Sequence, residues 1–145
     1  MSKFIGALAA VMSLILPVSG CFTEFGSPEI ENTMWILDSL TNKSSQVQPS
    51  DINLRLPSAV LSDGEVSGFL GLNSFSGRYQ LSGNDISFSQ LTSTELIASP
   101  EAMNIEALFL SALESAAHVK VQDQTLTISD LEDTVLARFS PSIEG

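Results

Sequence analysis

Val66-Ser67-Gly68-Phe69-Leu70-Gly71-Leu72-Asn73-Ser74-Phe75-Ser76-Gly77-Arg78-Tyr79 is the stretch on which the reading of this fold turns. Glycines at 68, 71 and 77 frame an asparagine at 73. Glycine permits positive φ and close approach of two backbones, while an asparagine amide can satisfy the backbone groups of a turn. A phosphate loop would need a Gly-Lys-Ser/Thr ending that opens a helix, and neither follows. The stretch is therefore a structural corner between strands.

Outward from this corner, apolar residues recur with period two. Ile52-Asn53-Leu54-Arg55-Leu56 alternates, as do Tyr79 and Leu81, Ile86 and Phe88, Leu126 and Ile128, and Val135, Ala137 and Phe139. Ser82-Gly83-Asn84, Gln122-Asp123-Gln124 and Asp130 to Asp133 supply the short turns that hairpins need. With Met34–Leu40, Glu65–Phe69 and Val119–Val121 the pattern predicts about eight short strands. One-sided alternation means that each strand buries one face and wets the other, so the sheet must curl around a filler.

One helix is predicted to be that filler. Ser99 suits the N-cap, Pro100 the first helical position, and Glu101 the first turn, where the helix dipole favours negative charge. Ala102, Ile105, Phe109, Ala112, Leu113 and Ala116 then recur at helical spacing as one apolar stripe. Glu101, Asn104, Ser111, Glu114 and Ser115 make the opposite, solvated face. The helix runs into strand at Ala116-Ala117-His118 without a glycine stop.

The N-terminus carries an address. Lys3 is followed by an apolar stretch from Phe4 to Leu16, then by Leu16-Pro17-Val18-Ser19-Gly20-Cys21, with Cys21 the only cysteine of the chain. This has the parts of a secretory signal, and its end resembles the bacterial lipobox, whose cysteine is acylated and becomes the new N-terminus. A spanning helix needs about 20 apolar residues, and Pro17, Ser19 and Gly20 interrupt this run too soon. Residues 1–20 are thus expected to be a lipoprotein signal peptide, residues 21–33 a lipidated N-terminus and tether, residues 34–140 one domain, and residues 141–145 a tail. From Cys21 to Trp35 the tether spans at most about 50 Å when extended. Residue 22 is Phe; Asp at that place is associated with inner-membrane retention in enteric-type bacteria, so an outer-membrane lipoprotein facing the periplasm is expected.

Charge narrows the partners. Removing residues 1–20 takes away Lys3 and no acid, so the net charge of −11 becomes −12. Nucleic acid is an improbable partner, because binding it requires a basic patch. An anionic membrane surface would repel such a domain, so attachment to the membrane should come from acyl chains on Cys21, two or more of them for stable anchoring. The acidity either keeps the protein soluble or recruits a cationic envelope protein.

In order and spacing these motifs resemble those of the META domain, or HslJ-like, proteins of bacterial envelopes. The matching residues are Trp35 and Leu37; Gly68, Gly71, Asn73, Gly77 and Tyr79; Ile86 and Phe88; Ser93 and Thr94; and Glu106, Phe109 and Leu113. The resemblance runs from Trp35 to about Phe139 and implies an α+β, mainly β fold: a small open, or cracked, antiparallel β-barrel of about eight strands closed by one α-helix. It also implies a likeness to lipoprotein pilots that bind secretin subunits, and a role in stress response, without catalytic residues. Where the family usually has two cysteines, this chain has Leu72 and Ser99, so a disulfide that often links those segments cannot form. The loss of such a crosslink would cost about 2–4 kcal/mol, expected here to be offset by packing around Leu72. The family's Met-Ala is altered to Leu96-Ile97-Ala98.

A direct search for catalytic groups leads to the same restraint. Nucleophilic and acid–base sites need a positioned His, Cys or carboxylate pair, and beyond Cys21 the mature chain has one histidine and no cysteine. His118 reads as a junction residue. Asp130, Glu132 and Asp133 lack the spacing of a calcium loop and read as a solvated hairpin. Asn42-Lys43-Ser44 matches a glycosylation acceptor pattern that rarely matters in a bacterium.

The expectation is a non-enzymatic lipoprotein with no cofactor, no metal and only the covalent lipid on Cys21. Gly68, Gly71, Asn73, Gly77, Tyr79 and Thr94 form its structural motif, and Trp35, Ile105, Phe109 and Leu113 line a candidate cleft. Three roles fit: a binding or stress-response module at the outer membrane, a carrier or pilot-like binder of an apolar ligand or peptide in the barrel cleft, and an acidic inhibitor of a basic envelope enzyme.

Overall fold

In the computed structural model, which describes residues 29–42, 45–49 and 55–143, nine strands and one helix follow one another. They are β1 (Met34–Asn42), β2 (Ser45–Val47), β3 (Ser58–Ser62), β4 (Glu65–Phe69), β5 (Ser74–Ser82), β6 (Asp85–Ser93), α1 (Pro100–Ser115), β7 (His118–Gln122), β8 (Thr125–Ser129) and β9 (Val135–Pro141). All pairings are antiparallel. The sheet order is β2-β1-β3-β4-β5-β6-β7-β8-β9, and β9 returns to pair with β1, so the hydrogen bonding closes into a ring on which β2 is a short flap. The ring has one thin seam. Strands β6 and β7 share a single register pair, Asp85 with His118, supported by Ile86 N–H to Ala117 O at 3.0 Å and Val119 N–H to Asn84 O at 2.8 Å. The resemblance implied an open antiparallel β-barrel of about eight strands closed by one helix; the mainly β, antiparallel fold with one helix is as expected, while the sheet has nine strands, the added one being the short β2.

Turn chemistry sets the registers. Asp63 and Gly64, with φ of 51° and 81°, close β3 on β4, and Asp123 and Gln124, at 50° and 62°, close β7 on β8. Two successive positive φ values match the right-handed twist of the strands they join. In β6 the positive φ of Gln90, 52°, falls where the register with β5 slips between Ser76 and Arg78, so two residues of β6 oppose Gly77. Such a bulge increases local twist and helps a sheet curl.

The helix fills the ring. Ser99 caps it, its Oγ accepting from Ala102 N–H at 3.2 Å, with Pro100 at the first helical position. The stripe Ala102, Ile105, Phe109, Ala112 and Leu113 is buried, and α1 packs against β1, β6 and β9. Phe109 meets Phe75 of β5 and Phe139 of β9 edge to face, at centroid distances of 5.4 and 5.9 Å, the arrangement ring quadrupoles favour. Trp35 is buried beside them and donates Nε1–H to Ile30 O at 2.9 Å.

Two local expectations change. Of the strand expected at 52–56, residues 52–54 lie outside the described residues, and Arg55 and Leu56 are not in a strand. The chain enters β3 at Ser58, after Pro57 has accepted Leu37 N–H at its carbonyl, 2.9 Å away. Proline lacks the N–H that a ladder needs, so the strand starts beyond it. Cys21, the leader and most of the tether lie outside the described residues, but residues 29–33 are docked: Asn32 N–H bonds Leu61 O at 2.7 Å and Thr33 Oγ1 bonds Glu29 O at 2.7 Å.

Candidate functional site

The corner between β4 and β5 is held by a buried carboxylate. Leu70 N–H bonds Asn73 O at 2.7 Å to close the turn, and Gly71 sits inside it with φ of 128°, a conformation that side-chain-bearing residues rarely adopt. Glu106, one position after Ile105 on the helix's inner face and only 7% exposed, points into this turn. Its Oε1 accepts from Leu72 N–H at 2.9 Å and from Asn73 N–H at 2.8 Å, and its Oε2 accepts from Asn73 Nδ2 at 2.7 Å.

Asn73 carries the link onward. Its Oδ1 accepts from Leu96 N–H at 2.7 Å and from Thr94 Oγ1 at 2.9 Å, while Nδ2 also reaches Leu96 O at 3.2 Å. Thr94 Oγ1 in turn accepts from Ser74 N–H at 3.2 Å. The amide thus uses both its donors and both its acceptor directions, and among the described residues no buried side-chain polar atom lacks a partner. Burial by itself disfavours the Glu106 charge, but the Asn73 side chain and the Asn73 and Leu72 amides outweigh it and hold the carboxyl below its ordinary value of 4.5. The arrangement ties three segments together: the turn, the run that follows β6, and the helix.

The other motif residues act by shape. A Cβ on Gly68 would lie 2.0 Å from Ser58 O and 2.8 Å from the Phe75 ring, and one on Gly77 would lie 2.7 Å from Leu91 Cδ2 and 2.9 Å from Ser89 O. Both are close-approach positions; Gly77 is not among the residues of positive φ. Tyr79 is buried and donates its hydroxyl to Glu31, and burial together with that carboxylate pushes its phenol pKa up.

Trp35, Ile105, Phe109 and Leu113 do not line an opening. All four are buried in one cluster, with Phe109 1% exposed, because the helix side chains occupy the space a cleft would need. Leu72 is half-buried and outside that cluster; its backbone is fixed by Glu106 and not by packing, while Ser99 serves as the helix cap. Elsewhere, His118 Nδ1 lies 3.1 Å from Asp85 Oδ1 at the seam, and Asp130 Oδ1 accepts from Glu132 N–H and Thr134 N–H, both at 2.9 Å, as a turn-former. Among the described residues no three His, Cys, Asp or Glu side chains are placed to hold a metal ion.

Reading the helix by its apolar stripe did not assign Glu106 a role. The available signal was a lone acid beside Ile105 and one turn after Ala102, inside the stripe where a charge is costly unless partnered. Sequence reading also passed over the outer face. There a groove of about 560 Å³ is lined by Met34, Ile36, Arg55, Leu56, Pro141 and Ile143, with the Arg55 guanidinium 4.9 Å from the centre of the Phe69 ring.

The META domain family model matches residues 28–142. No curated protein matches the sequence. A protein from Burkholderia xenovorans solved by NMR is similar in structure, with a TM-score of 0.66 and 22% identity over 79% of this chain and 85% of that one. A crystal structure of a DUF4847 family protein from Bacteroides vulgatus ATCC 8482 is similar at a TM-score of 0.55 and 14% identity, over 80% of this chain and 96% of that one. At these identities the likeness speaks for the fold alone.

Proposed function

This chain belongs to the META domain family, and from that premise we infer that it is a non-enzymatic, lipid-anchored binding module of the bacterial envelope, held at the outer membrane by acyl chains on Cys21. The observation that carries the reading is where the polar groups of the motif are spent. Glu106, Asn73 and Thr94 satisfy one another and the neighbouring backbone, and the ring behind them is filled by Trp35, Phe109 and Phe139. Both features serve rigidity, which leaves the surface as the part that meets other molecules. The leader and the run ending at Cys21 support the anchor, and Phe22 supports export past the inner membrane.

Metabolic labelling with an alkyne fatty acid, followed by membrane fractionation, tests the anchor. Wild type should carry the label and sediment with the outer membrane, and Cys21→Ala should lose the label and the membrane association. An unlabelled wild type would refute it. A second reading, a binder of an apolar ligand or peptide, is favoured by the outer groove over the closed interior, since Met34, Leu56 and Ile143 stand exposed along it.

A further inference from the structure

We propose that Leu96, Ile97 and Met103 form a preorganised contact surface for a cationic protein face that offers an apolar socket. The proposal rests on the binding-module reading and names where the binding occurs. Leu96 is 60%, Ile97 92% and Met103 51% exposed, and the three fall within eight residues around the helix cap Ser99. Exposed aliphatic side chains scattered singly need no explanation; here three lie within eight residues of one another in the chain, two of them adjacent and next to a fixed backbone. The segment that bears the first two is irregular in structure, between β6 and α1.

Its backbone is nevertheless fixed. Leu96 is bound through both its N–H and its C=O to the buried Asn73 amide, which is itself held by the buried Glu106 carboxylate. A buried charge is an expensive way to steady a loop whose side chains merely face water. It is an apt way to hold the backbone that bears Leu96 in place before a partner arrives, because backbone order already present is not lost on binding.

Charge selects the partner. The exposed Glu95 and Glu101 flank the aliphatic residues, and no Lys or Arg occurs between Arg78 and Lys120. A partner face must therefore be cationic around an apolar centre, the arrangement of a desolvated core within a charged rim. An anionic lipid surface would be repelled by the same acids, and a second copy would bring its own excess of them.

The test uses the full mature chain with Cys21→Ser, so that no acyl chain enters the measurement and a failure of the anchor reading, seen by fatty-acid labelling, stays separate. An alternating Lys/Leu peptide and a Lys/Ala peptide of equal charge are titrated by calorimetry. Wild type should bind the Lys/Leu peptide more tightly than the Lys/Ala one, and a Leu96→Ser, Ile97→Ser variant should lose about tenfold or more of that affinity, as hot-spot removal does. Glu95→Lys with Glu101→Lys should weaken both peptides. All four side chains are exposed, and unchanged thermal melts confirm that each variant folds. Equal binding of the two peptides, or undiminished binding by the serine variant, would overturn the proposal. So would serine-sensitive binding to zwitterionic vesicles or serine-sensitive self-association in place of peptide binding, which would assign the surface to lipid or to a second copy.

Discussion

Glu106 is the residue whose chemistry is most constrained. Three N–H donors converge on its two oxygens, so Glu106→Gln replaces one acceptor oxygen with an amide that cannot accept. Hydrogen bonds to a charged group are worth about 1.5–3 kcal/mol, and we expect a loss of that size in urea unfolding at pH 7. The pH dependence has a definite sign. The carboxyl is held below its ordinary value of 4.5 in the folded protein, so its contribution is fully present above pH 4.5 and fades as pH falls through the folded value, where both states bind the proton. The gap between wild type and Glu106→Gln should narrow on acidification from pH 7 to pH 3. A gap that widens would mean that the carboxyl is neutral in the fold. The resemblance named Glu106 but helical spacing assigned it no role, because the groups it binds lie 33 and 34 residues away in the chain.

At the scale of elements, local signals carried most of the reading. Ser99 and Pro100 start the helix where caps and fixed φ require, and β4 to β9 lie on the segments whose apolar residues alternate. Strand β3 was less legible, since Ala59-Val60-Leu61 is apolar throughout and alternates only in burial, Ala59 and Leu61 inward. The corner glycines separate into two mechanisms. Gly71→Ala and Gly71→Val should both destabilise, because φ of 128° costs any L side chain about 1–3 kcal/mol. Gly77 fails for want of space, where Leu91 crosses the bulge. Gly77→Val should therefore lower the melting temperature, and pairing it with Leu91→Ala should restore part of the loss, whereas Leu91→Ala should not help Gly71→Val. Thermal melts of these five variants decide this, and equal rescue of Gly71→Val and Gly77→Val would merge the two mechanisms.

For the whole molecule, ring closure was the least legible feature. Pairing of β1 with β9 joins Trp35 to Pro141, and no local pattern names a partner so distant in the chain. What alternation does reveal is that each strand has one buried face, and a helix with an apolar stripe is the natural occupant of the space those faces enclose. The account holds that this space is filled, so that the molecule works through its surface. Phe109, between Phe75 and Phe139, is the side chain that tests it. Chemical denaturation of wild type and Phe109→Ala, with and without lipid extract, should give a loss of about 3–5 kcal/mol on truncation and no shift of the wild-type midpoint with lipid. A loss well below that, with strong protection of the wild type by lipid, would contradict the account and make the interior a ligand cavity.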